Sequence, residues 1–319
     1  MKRRRWHGFF GLSAIAASVA TVLAAGTVPA QAATPPAILP LGNEAVAFLN
    51  STNPLFYGAS PLGANVSCHP SAAHPDPVVL VEGTFSSMYN SFEAVSPDLV
   101  NNGYCVYAFN YGQTLPLTGF YAMGSISASA AQLASEVNHV LSVTGASKVD
   151  LVGWSQGGMM PRYYINNLGG AAKVNMLVGF APSNYGTTLG GLRGLVSDIG
   201  LEGVLTGLLS ITCAACGQQL EGSSFLASLN QTPTVAGVKY VVIETADDDV
   251  VTPYPNAFLP AAANVQNITL QKQCSQDASD HISIPYDSNA LQDMINVLGS
   301  DNPSFQPTCA AVGPIFGNV

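Results

Sequence analysis

Val149-Asp150-Leu151-Val152-Gly153-Trp154-Ser155-Gln156-Gly157-Gly158 is an apolar run broken by a serine set between glycines. Val149 to Trp154 has the length and composition of a buried strand, and the residues after it read as a helix. Gly153-x-Ser155-x-Gly157 therefore falls at a strand-to-helix corner, the setting of a nucleophile elbow. A serine there must hold a strained backbone to push its hydroxyl outward. Glycines two residues to either side remove side chains that would strike the helix and the neighbouring strand. A chain with 31 glycines produces such patterns by chance, so the placement carries the weight. Ser155 is the candidate nucleophile; the alternative is a helix N-cap serine with packing glycines.

Outward from this corner, apolar runs alternate with helical patterns. Val78–Val81 reads as a short buried strand running into Glu82-Gly83-Thr84. A helix is expected over 91–101, with Phe92, Val95 and Leu99 on one face, then a strand over 104–110. Residues 127–143 carry Leu133, Val137, Val140 and Leu141 on one face and lead into the elbow strand. The helix after Ser155 should run to about Leu168, with Pro161 removing one backbone bond and kinking it at a cost of about 3 kcal/mol. Strands are expected over 174–181, 240–245 and 265–270, and a closing helix over 288–298. The alternation predicts an α/β fold, a mostly parallel sheet with helices on both faces.

The irregular part is 183–231, where Leu189, Leu192, Val196, Ile199, Leu201, Val204, Leu205, Leu208 and Leu209 recur at roughly helical spacing. Only Arg193, Asp198, Glu202 and Glu221 are charged there. It is read as a cap insertion; the alternative is a packed helical insertion with those leucines in the core.

Residues 1–32 have the pattern of a secretory leader: the basic start Lys2-Arg3-Arg4-Arg5, an apolar stretch over 9–28, and Ala30-Gln31-Ala32 as cleavage site. A retained membrane anchor is the competing reading. The arginine run loosely resembles a twin-arginine signal, but cysteines that need oxidation outside favour export of an unfolded chain. Residues 33–76, rich in Pro, Ala, Asn and Ser, form an arm, and 77–319 a single domain carrying the cap at 183–231. Removing the leader leaves 287 residues and moves the net charge from −9 to −13. Nucleic acid and anionic membrane surfaces are poor partners for such a chain. No apolar run after the leader reaches the roughly 18 residues of a membrane span. A soluble, extracellular monomer is expected.

Cys68, Cys105, Cys213, Cys216, Cys274 and Cys309 all follow the leader, and an even count in an exported chain points to disulfides. Of the possible pairings, the one joining neighbouring segments is Cys68 with Cys105, Cys213 with Cys216, and Cys274 with Cys309. Cys213-Ala-Ala-Cys216 also matches a metal or redox motif, but a zinc site needs further ligands at matched spacing.

A serine hydroxyl needs a base, and the base needs an acid to fix its tautomer. At an elbow of this kind the chain order is serine, acid, histidine. Of His69, His74, His139 and His281, only His281 follows Ser155, so elimination selects it. The acid should follow a strand, and the strand over 240–245 runs into Ala246-Asp247-Asp248-Asp249. Asp248 is preferred, with Asp247 and Asp249 as rivals; Asp280, adjacent to the base in sequence, is badly placed to reach its far nitrogen. The oxyanion donors expected are the backbone N–H groups of Gln156 and Thr84, with Gly83 letting the chain turn inward.

Val81-Glu82-Gly83-Thr84, Gly153-Trp154-Ser155-Gln156-Gly157-Gly158, Ala181-Pro182-Ser183-Asn184-Tyr185-Gly186-Thr187, Asp248-Asp249-Val250-Val251-Thr252-Pro253-Tyr254 and Asp280-His281 together resemble the secreted bacterial class 2 lipases of the α/β-hydrolase superfamily. The resemblance covers roughly residues 77–309. It implies hydrolysis of acylglycerols or other carboxylic esters, with Ser155, Asp248 and His281 as triad, Thr84 and Gln156 as oxyanion donors, and neither cofactor nor metal. Many members carry histidine before the oxyanion glycine, where this chain has Glu82. A polyester or cutin hydrolase, an acyltransferase with the same triad, and a noncatalytic binding protein on a hydrolase scaffold are the other readings.

Overall fold

Every residue of Val78–Val81 (β1) is fully buried, as a Val-Val-Leu-Val strand covered on both faces requires. The computed structural model describes residues 38–51, 53–198 and 212–319. The leader, and Ile199, Leu201, Val204, Leu205, Leu208 and Leu209 of the insertion, lie outside the described residues. With Val106–Phe109 (β2), Val149–Trp154 (β3), Val174–Phe180 (β4), Lys239–Glu244 (β5) and Val265–Thr269 (β6), β1 forms one sheet in the order β2-β1-β3-β4-β5-β6. Each adjacent pair is parallel.

Helices, in chain order, are Glu44–Ser51 (α1), Met88–Phe92 (α2), Val95–Asn101 (α3), Ile126–Thr144 (α4), Gln156–Asn167 (α5), Leu189–Asp198 (α6), Ala214–Gln218 (α7), Ser224–Leu229 (α8), Leu270–Gln273 (α9) and Ser288–Leu298 (α10). Alternate strand residues feed two cores. Val79 and Val81 pack with Leu133 and Val137 of α4 and Met159 of α5. Val78 and Leu80 pack with Phe92 of α2, Leu99 of α3 and Met294 of α10. The period of two along each strand thus places helices on both faces.

From β1 the chain goes outward to β2, then returns past β1 to lay down β3. The strand order reverses between β1 and β3, and a crevice opens at their carboxyl ends. Val81 is in register with Gly153, so the turns Glu82-Gly83-Thr84 and Trp154-Ser155-Gln156 leave the sheet side by side.

Three expectations are revised. The single helix over 91–101 is two: Ser87 caps α2 in a capping box with Asn90, and Pro97 sits in the first turn of α3, where its missing N–H costs nothing. Phe92, Val95 and Leu99 are nonetheless all buried. The strand expected over 265–270 ends at Thr269, and Leu270 opens α9. The helix after Ser155 continues through Pro161 as one element. The carbonyl that proline deprives of a partner is that of Gly157, which lies against Gly153.

The segment before β1 is fastened at several points. Gly42 N donates to Glu93 O (2.8 Å), Leu39 exchanges two bonds with the Asn101 side chain, and Cys68 pairs with Cys105 at a Cα–Cα distance of 5.7 Å. Cys213 with Cys216 (5.3 Å) and Cys274 with Cys309 (5.1 Å) are the other pairs. In the described part of the insertion, Leu195, Val196, Leu226 and Leu229 are buried in the same core as α4 and α5. No helix among the described residues is long and apolar enough to cross a membrane.

Candidate active site

Ser155 joins β3 to α5 with φ 55° and ψ −122°, a conformation costing a non-glycine residue about 1–3 kcal/mol. The flanking glycines make the corner possible. A Cβ on Gly153 would stand 1.9 Å from the Gly157 carbonyl oxygen, and one on Gly157 would stand 1.9 Å from that of Val81. The first would strike the helix and the second the neighbouring strand.

The Ser155 hydroxyl lies 3.0 Å from His281 Nε2, and His281 Nδ1 lies 2.8 Å from Asp248 Oδ2. Asp248 accepts the Nδ1 proton, which leaves Nε2 free to accept from the serine. The other oxygen, Oδ1, takes the N–H groups of Val250 (2.8 Å) and Val251 (2.7 Å), fixing the carboxylate behind the ring. Asp247 and Asp249 are exposed, whereas Asp248 is buried. Asp280 instead shapes the loop that carries His281: its Oδ1 accepts from Ile282 N, Ser283 N and the Ser283 hydroxyl, and its Oδ2 from Ile315 N. His69 and His139 lie on the surface, and His74 packs against Tyr104 with ring centroids 3.9 Å apart and the rings tilted by 42°.

His281 is fully buried. Burial works against its charged form, but the charge and hydrogen bond of Asp248, joined by Asp249 and Asp280, outweigh it and raise the imidazole above its ordinary value. Behind Asp248, burial and the nearby Asp248 charge push Glu244, the last residue of β5, well above the carboxylate range.

Gly83 brings the loop after β1 against Ser155: a Cβ there would lie 2.9 Å from the Trp154 ring and 3.1 Å from Ser155 Cβ. The backbone N–H groups of Thr84 and Gln156 donate to no other group among the described residues. Glu82 is fully buried and burial pushes it well above the carboxylate range. Its Oε1 accepts from Tyr111 N (3.0 Å) and its backbone oxygen from the Tyr111 hydroxyl (2.7 Å), and these bonds hold the loop in place. The Thr84 hydroxyl donates to Gln156 Oε1 at 3.0 Å, and Gln219 Nε2 donates to both Thr84 Oγ1 and Gln156 Oε1 at 2.8 Å. Gln219, Tyr111 and Glu244 had no signal in the sequence beyond being polar residues in apolar surroundings. A cavity of about 370 Å³ opens beside Thr84, with Phe48, Phe85, Trp154, Leu195 and Ile282 in its wall.

Such an arrangement can deprotonate a hydroxyl, attack an electrophilic carbon and hold a developing oxyanion. Among solved structures, Aspergillus fumigatus lipase B overlays with a TM-score of 0.59 and 18% identity, covering 77% of this chain and 56% of that one. The mature form of Bacillus licheniformis lipase BlEst2 overlays at 0.53 and 18% identity, covering 74% and 96%. These likenesses are of fold, and the fold is that of the α/β-hydrolases. In sequence, a triacylglycerol lipase of Burkholderia plantarii is 33% identical over 132 residues, 38% of this chain and 34% of that one. One of Pseudarthrobacter phenanthrenivorans is 36% identical over 97 residues, 29% and 28% of the two chains. The chain thus spans about a third of the length of the curated relatives it matches. The model of the class 2 lipases matches residues 75–294, from just before β1 into α10, and the chain belongs to that family.

Proposed function

We propose that the protein is a secreted serine esterase of the triacylglycerol lipase type, hydrolysing carboxylic esters of acylglycerols through a Ser155-His281-Asp248 triad. The observation that carries this is the unbroken relay from Ser155 Oγ through the imidazole to Asp248, at 3.0 and 2.8 Å, sited at the strand-order reversal of the sheet. Membership of the class 2 lipases supports the substrate class. The leader pattern at 1–32 and three disulfides support export.

In the proposed reaction, Ser155 Oγ attacks the acyl carbon as its proton passes to His281 Nε2. Asp248 stabilises the imidazolium, and the N–H groups of Thr84 and Gln156 bind the oxyanion. Collapse expels the alcohol, which takes the proton from Nε2. Water then attacks the acyl-enzyme through the same base and releases the acid. The apolar wall of Phe48, Phe85, Leu195 and Ile282 suits an acyl chain. The insertion at 183–231 is proposed as a cap that lines the acyl site and touches a lipid interface, with Leu195 in the wall.

Labelling with a fluorophosphonate, followed by peptide mapping, should mark Ser155. Ser155→Ala should abolish p-nitrophenyl ester hydrolysis at every acyl length while the fold persists. Turnover surviving in that variant removes the mechanism. Comparing rates below and above substrate saturation tests the interfacial role of the cap, which falls if aggregated substrate is not preferred.

A further inference from the structure

We propose that Gln219, supplied by the insertion rather than by the sheet, is a positioning residue that fixes the Thr84 hydroxyl as a third donor to the oxyanion. The inference rests on the ester hydrolysis proposed above.

Gln219 directly follows α7, the short helix carrying Cys216, which is bonded to Cys213 at its N-cap, and only 4% of it is exposed. Its backbone is pinned on both sides: its N–H donates to Ala215 O (3.0 Å) and its carbonyl accepts from Thr187 N (2.9 Å). The side-chain amide is equally constrained. Its Oε1 accepts from the Ser183 hydroxyl at 2.8 Å. Its Nε2 faces Thr84 Oγ1 and Gln156 Oε1, each at 2.8 Å, and Ala215 O at 3.4 Å. Two of these three neighbours can only accept, so the reverse orientation would set carbonyl against carbonyl.

This orientation decides what the Thr84 hydroxyl can do. With the Gln219 amide occupying a lone pair of Oγ1, the hydroxyl hydrogen must point elsewhere, and in the resting site it points to Gln156 Oε1 at 3.0 Å. When charge develops on the substrate oxygen, rotation about the Thr84 C–O bond turns that hydrogen from a neutral amide oxygen to an anion. Bonds to charged acceptors are roughly twice as strong as neutral ones. Gln156 Oε1 is not left bare by the rotation, because Gln219 Nε2 still donates to it. Thr84 itself lines the cavity beside Trp154, and its loop touches Ser155 through Gly83. Gln219 so converts a hydroxyl of either polarity into a donor ready to swing, and makes the cap part of the machinery for charge stabilisation.

The test is steady-state kinetics on p-nitrophenyl butyrate for Gln219→Leu, Thr84→Val, Thr84→Ser and the double variant Gln219→Leu/Thr84→Val, with Ser155→Ala in parallel. Losing one bond to a charged group should lower kcat about tenfold in Gln219→Leu and Thr84→Val, with KM changed less than about twofold. Thr84→Ser, which restores the hydroxyl, should recover most of the kcat that Thr84→Val loses, and the double variant should be no slower than the slower single one. Wild-type kcat in Gln219→Leu, or multiplied losses in the double variant, overturns the inference. Gln219→Glu, nearly the same shape, decides the matter if the leucine variant does not fold. Its carboxylate would accept the Thr84 hydrogen and lower kcat relative to the parent; unchanged kcat overturns the inference. Activity surviving in Ser155→Ala defeats the proposed function itself, whereas an inactive Ser155→Ala beside a fully active Gln219→Leu defeats only the role of Gln219.

Discussion

Trp154 Nε1 donates to the backbone oxygen of His281 at 2.9 Å, across a sequence separation of 127 residues. Trp154 is the last residue of β3 and immediately precedes Ser155. The loop bearing His281 is thereby tied to the strand that leads into Ser155, and the two rings lie 5.6 Å apart between centroids. Phenylalanine at 154 keeps most of the packing and loses the bond. A buried neutral hydrogen bond is worth about 0.5–1.5 kcal/mol, so Trp154→Phe should lower kcat by about two- to tenfold with little change in KM. Full activity in that variant would show that the loop holds its place without the indole.

Three consecutive aspartates follow β5, and the buried one is hydrogen-bonded to His281 Nδ1. Asp248→Asn should retain the fold but favour the wrong tautomer of His281, lowering kcat by about 10⁴. Asp247→Asn and Asp249→Asn, altering exposed groups, should stay within a few-fold of the parent. A large loss at 249 with little at 248 would reassign the acid.

The elbow was legible because backbone collisions leave no choice at its corners: glycine is the residue that fits at 153 and 157, and that demand shows in the sequence. His281 was legible by elimination, and Asp248 only as one of three, since burial separates it from its neighbours and burial is a tertiary fact. The parallel sheet followed from its apolar strands. Residues 91–101 misled because Phe92, Val95 and Leu99 keep helical spacing across a break that the Ser87 capping box and Pro97 impose. Gln219 and Tyr111 were invisible for a different reason. Their work is done across separations of 135 and 29 residues, on Thr84 and Glu82, and no local period encodes such contacts.

The same surroundings that orient His281 set the pH at which it works. Nε2 must be unprotonated to accept from Ser155, and Asp248 with its neighbouring carboxylates raises the imidazole. The acid limb of kcat/KM should therefore fall above the ordinary histidine value of about 6.5. Asp249→Asn, which removes one of those charges, should move the limb downward with kcat on the plateau preserved. A limb below that ordinary value in the parent would contradict the electrostatic reading.

Stability should run the opposite way with pH. Burial pushes Glu44 up to about 9 and Asp150 and Asp287 to about 7, and lifts Glu82 and Glu244 well above the carboxylate range. In the unfolded chain these groups titrate near 4, so between the two values the folded protein holds more protons. Their contribution is complete at low pH and is lost as pH rises through each folded value; His281, also raised, has the same sign. Thermal unfolding should accordingly give a Tm about 5–10 °C higher at pH 5.5 than at pH 8.5. Glu44→Gln, which cannot ionise and can keep the bond from Gly317 N (3.0 Å in the parent), should flatten the upper part of that dependence. A Tm that climbs with pH over this interval would mean that these acids are ionised and compensated in the fold.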